Sequence, residues 1–347
     1  MPVTSLRLMS INLENLFSPG VEFYGKKYSE AEYKDKINWV ASLIAPAQVH
    51  TVAVLELGDH ADDCLSDIRQ AANANDLTGW PSFDHQFAGA PAPEGAPIRT
   101  GLISRFPLSN TGSLTDYPNG FVVDLYDPAE STWRAVPSRG FSRPVTYSTV
   151  IPPNGANPFN VYVVHLKSKR PRTTSRDGYN EATGIARSAI QRNIEAAALR
   201  YYFDEFLPRQ YETNNKIATF VVGDLNDTPT SVPVENLRGS FDRKPGPLSP
   251  WSEPDKKRLL NCARLHLKIS AYEDKLFSYV HDESFALIDQ ILVTEHLAGR
   301  FVRTEVYNDH VFRHQDLSES TDVDRQWKSR VSDHGAVVVE FSKMLRP

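Results

Sequence analysis

The residues able to do chemistry in this chain sit where apolar, strand-like runs stop. Asn12 follows Met9-Ser10-Ile11, Glu56 follows Val52–Leu55, and His165 follows Val161–Val164. Asp224 and Asn226 come directly after Phe220-Val221-Val222-Gly223, Asp289 lies within Leu287–Val293, and Asp333-His334 stands just ahead of Gly335-Ala336-Val337. Strand ends gather distant stretches at one edge of a sheet, where a polar cluster is both wet and rigidly held. Carboxylates, amides and imidazoles at such an edge can hold a cation and carry protons. Each stretch alone has another reading. Glu56 ahead of Gly58-Asp59 fits a solvated turn, and Gly223–Pro229 has the composition of an Asx-turn. His165 fits a hydrogen-bonded core histidine, and Ser332-Asp333-His334 a surface turn. Asp289 is harder to set aside, because a carboxylate inside an apolar run is costly unless it holds a cation or orients a histidine.

The elements that would position these residues follow from patterning. A strand is expected over 6–12, then a helix over 29–45 opened by a Ser29/Glu32 capping box, with Ile37, Val40 and Ile44 at helical spacing. Thr51–Leu55 reads as a buried central strand and 60–75 as a helix with Leu65 and Ile68 facing in. Residues 76–100, rich in Ala, Pro and Gly, read as loop. Strands are expected at 101–104, 120–126, 142–150 and 160–166. A long helix over 182–207 follows, with Ile190, Ile194, Ala198 and Tyr201 on its apolar stripe. Strands at 218–222, 286–293 and 336–341 complete the series, and 230–257 reads as a surface excursion. This pattern implies two packed sheets with helices outside, in one domain over residues 1–347.

Composition narrows the class. With 347 residues and 40% hydrophobic content, the chain can bury a large core without staples. Two cysteines, Cys64 and Cys262, exclude a disulfide framework or a Cys-rich zinc site. Met1–Ser10 lacks the basic and long apolar segments of a secretory signal, and no apolar stretch approaches bilayer length, so a cytoplasmic protein is the expectation. A net charge of −5 argues against a globally basic coat but permits a local basic patch. Phosphate-loop, nucleophile-elbow and zinc-protease motifs are absent. His310 and His314, spaced i, i+4 without a diagnostic acid or Cys partner, read as a pair of surface histidines.

Taken in order, these pieces resemble the endonuclease/exonuclease/phosphatase superfamily. The resemblance rests on Ser10–Phe17, Val54-Leu55-Glu56-Leu57, Ser104–Leu108, His165–Lys169, Gly223–Asp227, Leu287–Leu292 and Ser332-Asp333-His334. One departure is Leu55, where the family commonly has Gln before its metal-binding Glu. The resemblance implies a DNase I-like α/β fold: a four-layered sandwich of two mainly antiparallel sheets flanked by helices. It also implies the roles. Glu56 would bind Mg²⁺ or Mn²⁺ with Asn12 and Glu14 nearby, and Asp333 would add negative charge there. Asp224 would orient and deprotonate the attacking water, or hold a second metal, and Asn226 would hydrogen-bond the scissile phosphate. Asp289 would hold His334 as a cation beside the developing phosphorane charge, and His165 would protonate the leaving oxygen.

The substrate class turns on the stretch 165–176, which carries Lys167, Lys169, Arg170, Arg172 and Arg176 and no acid. It reads either as a solvated basic loop or, attached to His165, as a rim gripping phosphates beside the scissile one. Arg139, Arg143, Arg187 and Arg192 would extend that surface. The expectation is a metal-dependent nuclease with little sequence preference, monomeric and with no protein partner readable. The alternatives are a phosphodiesterase or phosphatase for lipid head groups or another small phosphoester, and a catalytically inert scaffold. A scaffold loses ground because every acid, amide and histidine position holds a usable residue.

Overall fold

The computed structural model describes residues 4–345 apart from 24–25, 77–78, 94–97, 137, 214–216, 240–255, 271–275, 282–283 and 317–320. The strands of its two large sheets are, in chain order, β1 (Leu6–Leu16), β2 (Thr51–Leu57), β3 (His85–Ala88), β4 (Arg99–Ser104), β5 (Leu108–Asp116) and β6 (Gly140–Val150). After them come β7 (Phe159–His165), β8 (Ala218–Asp224), β9 (Leu259–Asn261), β10 (Asp289–Thr294), β11 (Phe301–Tyr307) and β12 (Ala336–Phe341). The first sheet runs β11-β12-β1-β2-β4-β3 and the second β9-β10-β8-β7-β6-β5. Only β1/β2 and β7/β8 pair in parallel, so both sheets are mainly antiparallel, as expected.

Strand alternation makes the layers. In β1, Leu6 and Leu8 face the second sheet and share a core with Leu55 and Val339 of their own sheet and with Phe159, Val161, Phe220 and Val222 of the second. Met9, Ile11 and Leu13 face the other way, onto α1 (Glu30–Ala47) and α2 (Ala61–Ala74). The second sheet buries its outer face, including Tyr162, Val164 and Val221, under α3 (Glu181–Thr213) and α4 (Val232–Arg238). Four layers result, with an apolar seam between the sheets. The Ser29/Glu32 capping box forms at the start of α1 as its sequence predicts.

Several elements differ from their sequence reading. The stretch 76–100 contains β3, an edge strand whose four residues are all half-buried and so carry little apolar signal. No strand of the sandwich spans 120–126; Asp124–Asp127 instead pairs with Thr132–Ala135 in a separate, exposed hairpin. The sheet position is filled by β5, whose Ser, Thr, Asn and Gly suit an edge and not a core. On α3 the buried stripe is Ile194, Ala198, Leu199, Phe203 and Leu207, while Ile190 and Tyr201 are exposed. The excursion expected at 230–257 opens with α4, closed by Gly239; residues 240–255 lie outside the described ones.

Candidate active site at the edge of the sandwich

Register gathers the polar residues. Across the second sheet, His165 at the end of β7 lies beside Asp224 at the end of β8, and Asp224 lies beside Asp289 at the start of β10. In the first sheet, Asn12 on β1 pairs with Leu55, which puts it next to Glu56 at the end of β2. The two sheets then meet through side chains: Asn12 Nδ2 donates to Glu56 Oε1 at 3.2 Å and to Asp224 Oδ2 at 3.3 Å. His165 Nε2 stands 3.5 Å from Asp224 Oδ2 and 3.7 Å from Glu56 Oε1. The turn after Val331 is tied to β1 by Ser332, whose hydroxyl donates to the Asn12 carbonyl and accepts from the His334 N–H.

Backbone conformation at this edge is unusual. Glu14, Asn15, Glu56 and Asn226 all have positive φ, between 48° and 62°, a region that costs L-residues energy and clusters at functional sites. The strain is held by local bonds: Asn12 Oδ1 accepts from the Glu14 N–H, and Glu56 Oε2 from the Asn15 N–H. Gly223 is required by close approach. Its φ is +137° and a Cβ there would lie 2.1 Å from the Val164 carbonyl oxygen, so the strand that delivers Asp224 admits no side chain at this point.

Electrostatics follow from crowding carboxylates where water is scarce. Asp289 is fully buried and its Oδ2 lies 2.7 Å from His334 Nδ1. Burial works against a charged His334, but Asp289 and then Asp333 more than offset it and hold the imidazole well above its ordinary pKa. Burial and the facing charge of Asp289 push Asp224 up to about 7. Burial and Glu14 push Asp333 up to about 6. His165 goes the other way: burial, then Arg143, keeps it neutral. It keeps its place at the site beside Asp224 and Glu56.

The basic stretch divides in two. Lys169, Arg170 and Arg172 are exposed beside the site, and half-buried Lys167 is lowered to about 8 by burial and by Arg143. Arg143 and Arg192 instead brace the loop, donating to the carbonyls of Leu166 and Lys167. Arg187 donates to the Arg172 carbonyl, and Arg139 lies off the site, lining a cavity with Phe121, Val136 and Ile194. Asn226 braces too, giving its amide hydrogens to Asp224 Oδ2 and the Leu166 carbonyl.

A divalent cation fits these residues. Among the described residues, Asp289 Oδ1 and Asp333 Oδ1 are buried and without a hydrogen-bond partner, a costly state that a cation relieves. Ligand atoms of Asp224, Asp289 and His334 lie within 4.8 Å of one another, with His334 Nδ1 already 2.7 Å from Asp289 Oδ2. Glu56, Asn12 and Asp333, with Glu14 beside them, form the oxygen-rich side that suits Mg²⁺ or Mn²⁺.

Some site residues lie outside the sequence reading. Ser278 Oγ accepts from the Asp289 N–H, and the Tyr279 ring lies 5.1 Å from His334. His310 and His314 are not surface histidines. Beyond α5 (Cys262–His266), the short helix α6 (Val311–Asp316) carries His314 inward to Glu14, Nε2 to Oε2 3.1 Å, and His310 Nε2 lies 2.9 Å from the His334 carbonyl. The i, i+4 spacing was the available signal; the acid partner lies some 300 residues upstream.

No family model matches the sequence, and no curated protein matches it. Solved structures match in fold. A truncated TDP2 from Caenorhabditis elegans gives a TM-score of 0.53 at 11% identity, covering 97% of this chain and 97% of that one. An endonuclease/exonuclease/phosphatase family protein from Bacteroides thetaiotaomicron gives 0.52 at 16% identity, covering 97% and 94%. The human Nocturnin catalytic domain, solved with a bound sulfate anion, gives 0.51 at 16% identity, covering 98% and 94%. Two mainly antiparallel sheets between helix layers, in this company, identify the chain as having the endonuclease/exonuclease/phosphatase, DNase I-like fold.

Proposed function

We propose that this protein is a Mg²⁺- or Mn²⁺-dependent phosphodiester hydrolase, a nuclease with little sequence preference. The carrying observation is the buried His334–Asp289 pair, 2.7 Å apart, set beside Asp224 and a group of oxygen donors at one sandwich edge. Attack on a phosphodiester needs neutralisation of charge, an oriented water and a proton for the leaving oxygen. Asp224, raised to about 7, can orient the water and accept its proton. Charged His334 sits where negative charge develops and holds a proton that the leaving oxygen can take. Neutral His165 contributes an N–H donor at Nε2. Glu56, Asn12 and Asp333, with Glu14 beside them, would hold the cation, which would supply Lewis-acid stabilisation of the phosphate. Lys167, Lys169, Arg170 and Arg172 meet neighbouring phosphates, which carry no sequence information. The sulfate bound by the Nocturnin domain accords with a fold that accepts tetrahedral anions.

The test is cleavage of supercoiled plasmid, single-stranded DNA and RNA with Mg²⁺, Mn²⁺ or EDTA, with Asp224→Ala and His334→Ala alongside. We expect metal-dependent cutting, lowered about 10²–10⁴-fold in each variant. Folded variants that cut like the wild type would overturn the site. Hydrolysis confined to sphingomyelin or inositol phosphates would move the substrate to lipid head groups.

A further inference from the structure

Beside the site stands a pair of exposed aromatic rings, one of them on the far face of a hairpin whose near face packs on His334. A hairpin, Tyr279–His281 paired with Ser284–Ala286, leads into Asp289 and is fastened to the floor by the Gly335 N–H donating to the Ser278 carbonyl. Its two faces differ. Tyr279 lies against His334. Phe285 pairs with Val280, on the other face from Tyr279, and stands 57% exposed. From α6, Phe312 stands 53% exposed with its ring 6.3 Å from that of Phe285 and only 12° from parallel. Phe277 packs edge-on against Phe285 at 4.8 Å and fixes it from behind. Two large, near-parallel phenyl faces in water are expensive unless a flat partner covers them.

Charge says what that partner is. Arg170, on the basic loop, is near enough to act electrostatically on the Tyr279 hydroxyl, so the loop comes close to the side of the hairpin that packs on His334. A ligand spanning the loop and the rings carries phosphates on one side and an unpaired flat ring on the other. Single-stranded nucleic acid meets that description, since every base has a stackable face and its backbone suits a basic track. A duplex hides its base faces. We infer that Phe285 and Phe312 form a stacking platform for an unpaired base next to the scissile linkage, which makes single strands, or frayed and looped segments, the preferred substrates. The inference rests on the nuclease reading above. Because Phe285 lies on the hairpin face away from His334, the stacked base neighbours the reacting nucleotide instead of belonging to it.

Binding is measured in EDTA, without turnover, by fluorescence anisotropy of the full chain with a single-stranded oligonucleotide and with its duplex. A strand carrying 2-aminopurine reports stacking directly through quenching. We expect wild-type protein to favour the single strand and to quench 2-aminopurine. Phe285→Ala and Phe312→Ala, checked for folding by thermal melting, should weaken single-strand binding about 5- to 150-fold and abolish the quench. Phe285→Trp should restore both. Equal affinity of wild type and alanine variants, or a loss that is the same on an abasic strand, would overturn the platform. So would unchanged oligonucleotide binding with lost binding to phosphatidylcholine/phosphatidylserine vesicles, which would make the ridge a membrane contact. Hydrolysis of bis(p-nitrophenyl) phosphate by wild-type protein, run separately with Mn²⁺, tests the hydrolase reading with no base present. A failure there is distinct from a failure of stacking.

Discussion

Asp224, Asp289, His165 and His334 at the floor of the site are each no more than 6% exposed, whereas Lys169, Arg170 and Arg172 at its rim stand in water. The same Coulomb interaction therefore does different things a short distance apart. On the floor, neighbouring charges act through a poorly screened medium and move pKa values far enough to choose which residue carries the proton. At the rim, water and salt blunt every pair, so the cations set encounter and grip. On the proposed reading the floor reacts and the rim holds, so substitutions in the two places should fail in different ways.

The sharpest break is Asp289→Asn. The amide keeps the shape and can still accept from His334 Nδ1, but it removes the charge that holds His334 protonated. We expect a rate about 10²–10⁴-fold lower near neutral pH. The sign of the pH effect follows: with its pKa raised only by Asp333 and Asp224, His334 loses its proton at lower pH, so the variant's activity falls off earlier as pH rises. Steady-state rates across pH check this; an unshifted alkaline limb at reduced rate would remove His334 from proton transfer. A rim substitution should move no limb of that profile.

A smaller effect is expected at His314, which joins floor to surface. Glu14 is held on three sides: Asn12 Oδ1 takes its N–H, buried Lys36 donates to its carbonyl, and His314 reaches its carboxylate. His314→Ala should loosen that carboxylate and weaken Mn²⁺ binding, measured by calorimetry, by about tenfold, the low end for partners that orient a ligand. His314→Gln, which keeps a polar group facing that carboxylate, should recover most of it. Equal losses in the two variants would mean that packing against Trp327, whose ring lies 6.3 Å away, matters more than the contact with Glu14.

The same contrast explains what could be read from the sequence. The floor was legible because central strands buried on both faces, such as Thr51–Leu55 and Ala218–Val222, spell continuous apolar runs whose polar ends stand out. Asp289 announced itself by breaking such a run. The outer helices α1, α2 and α3 were legible too, but the edge strands β3 and β5 were not, since they are half-wet and carry no clear alternation. His314 and the Phe285/Phe312 pair depend on where α6 docks, a non-local fact that local spacing does not contain. The positive φ of Glu14, Asn15 and Glu56 is illegible for another reason: a non-glycine residue in that region is held there by partners far along the chain.

The smallest predicted effect is at the rim, and there the reading can be graded within one loop. Each cation that neutralises a phosphate on a single strand adds about 0.7 to the slope of log affinity against log salt concentration. Arg172→Ala should therefore lower the slope by about that amount and weaken binding to all sequences alike. Lys169→Ala should lower it less, because Lys169 Nζ already lies 3.7 Å from Asp227 Oδ1 and is partly neutralised in the free protein. Removing Asp227 with Asp227→Asn should then raise the slope by freeing Lys169, although Arg192 Nε, at 3.0 Å from Asp227 Oδ2, would lose its acceptor charge and the loop some of its bracing. Titrations of a labelled single strand at several salt concentrations separate these cases: slopes ordered Asp227→Asn, wild type, Lys169→Ala, Arg172→Ala from steepest to shallowest support a phosphate-gripping rim. Slopes that do not change would make the stretch a solvated loop, leaving affinity to the aromatic side and the cation at the floor.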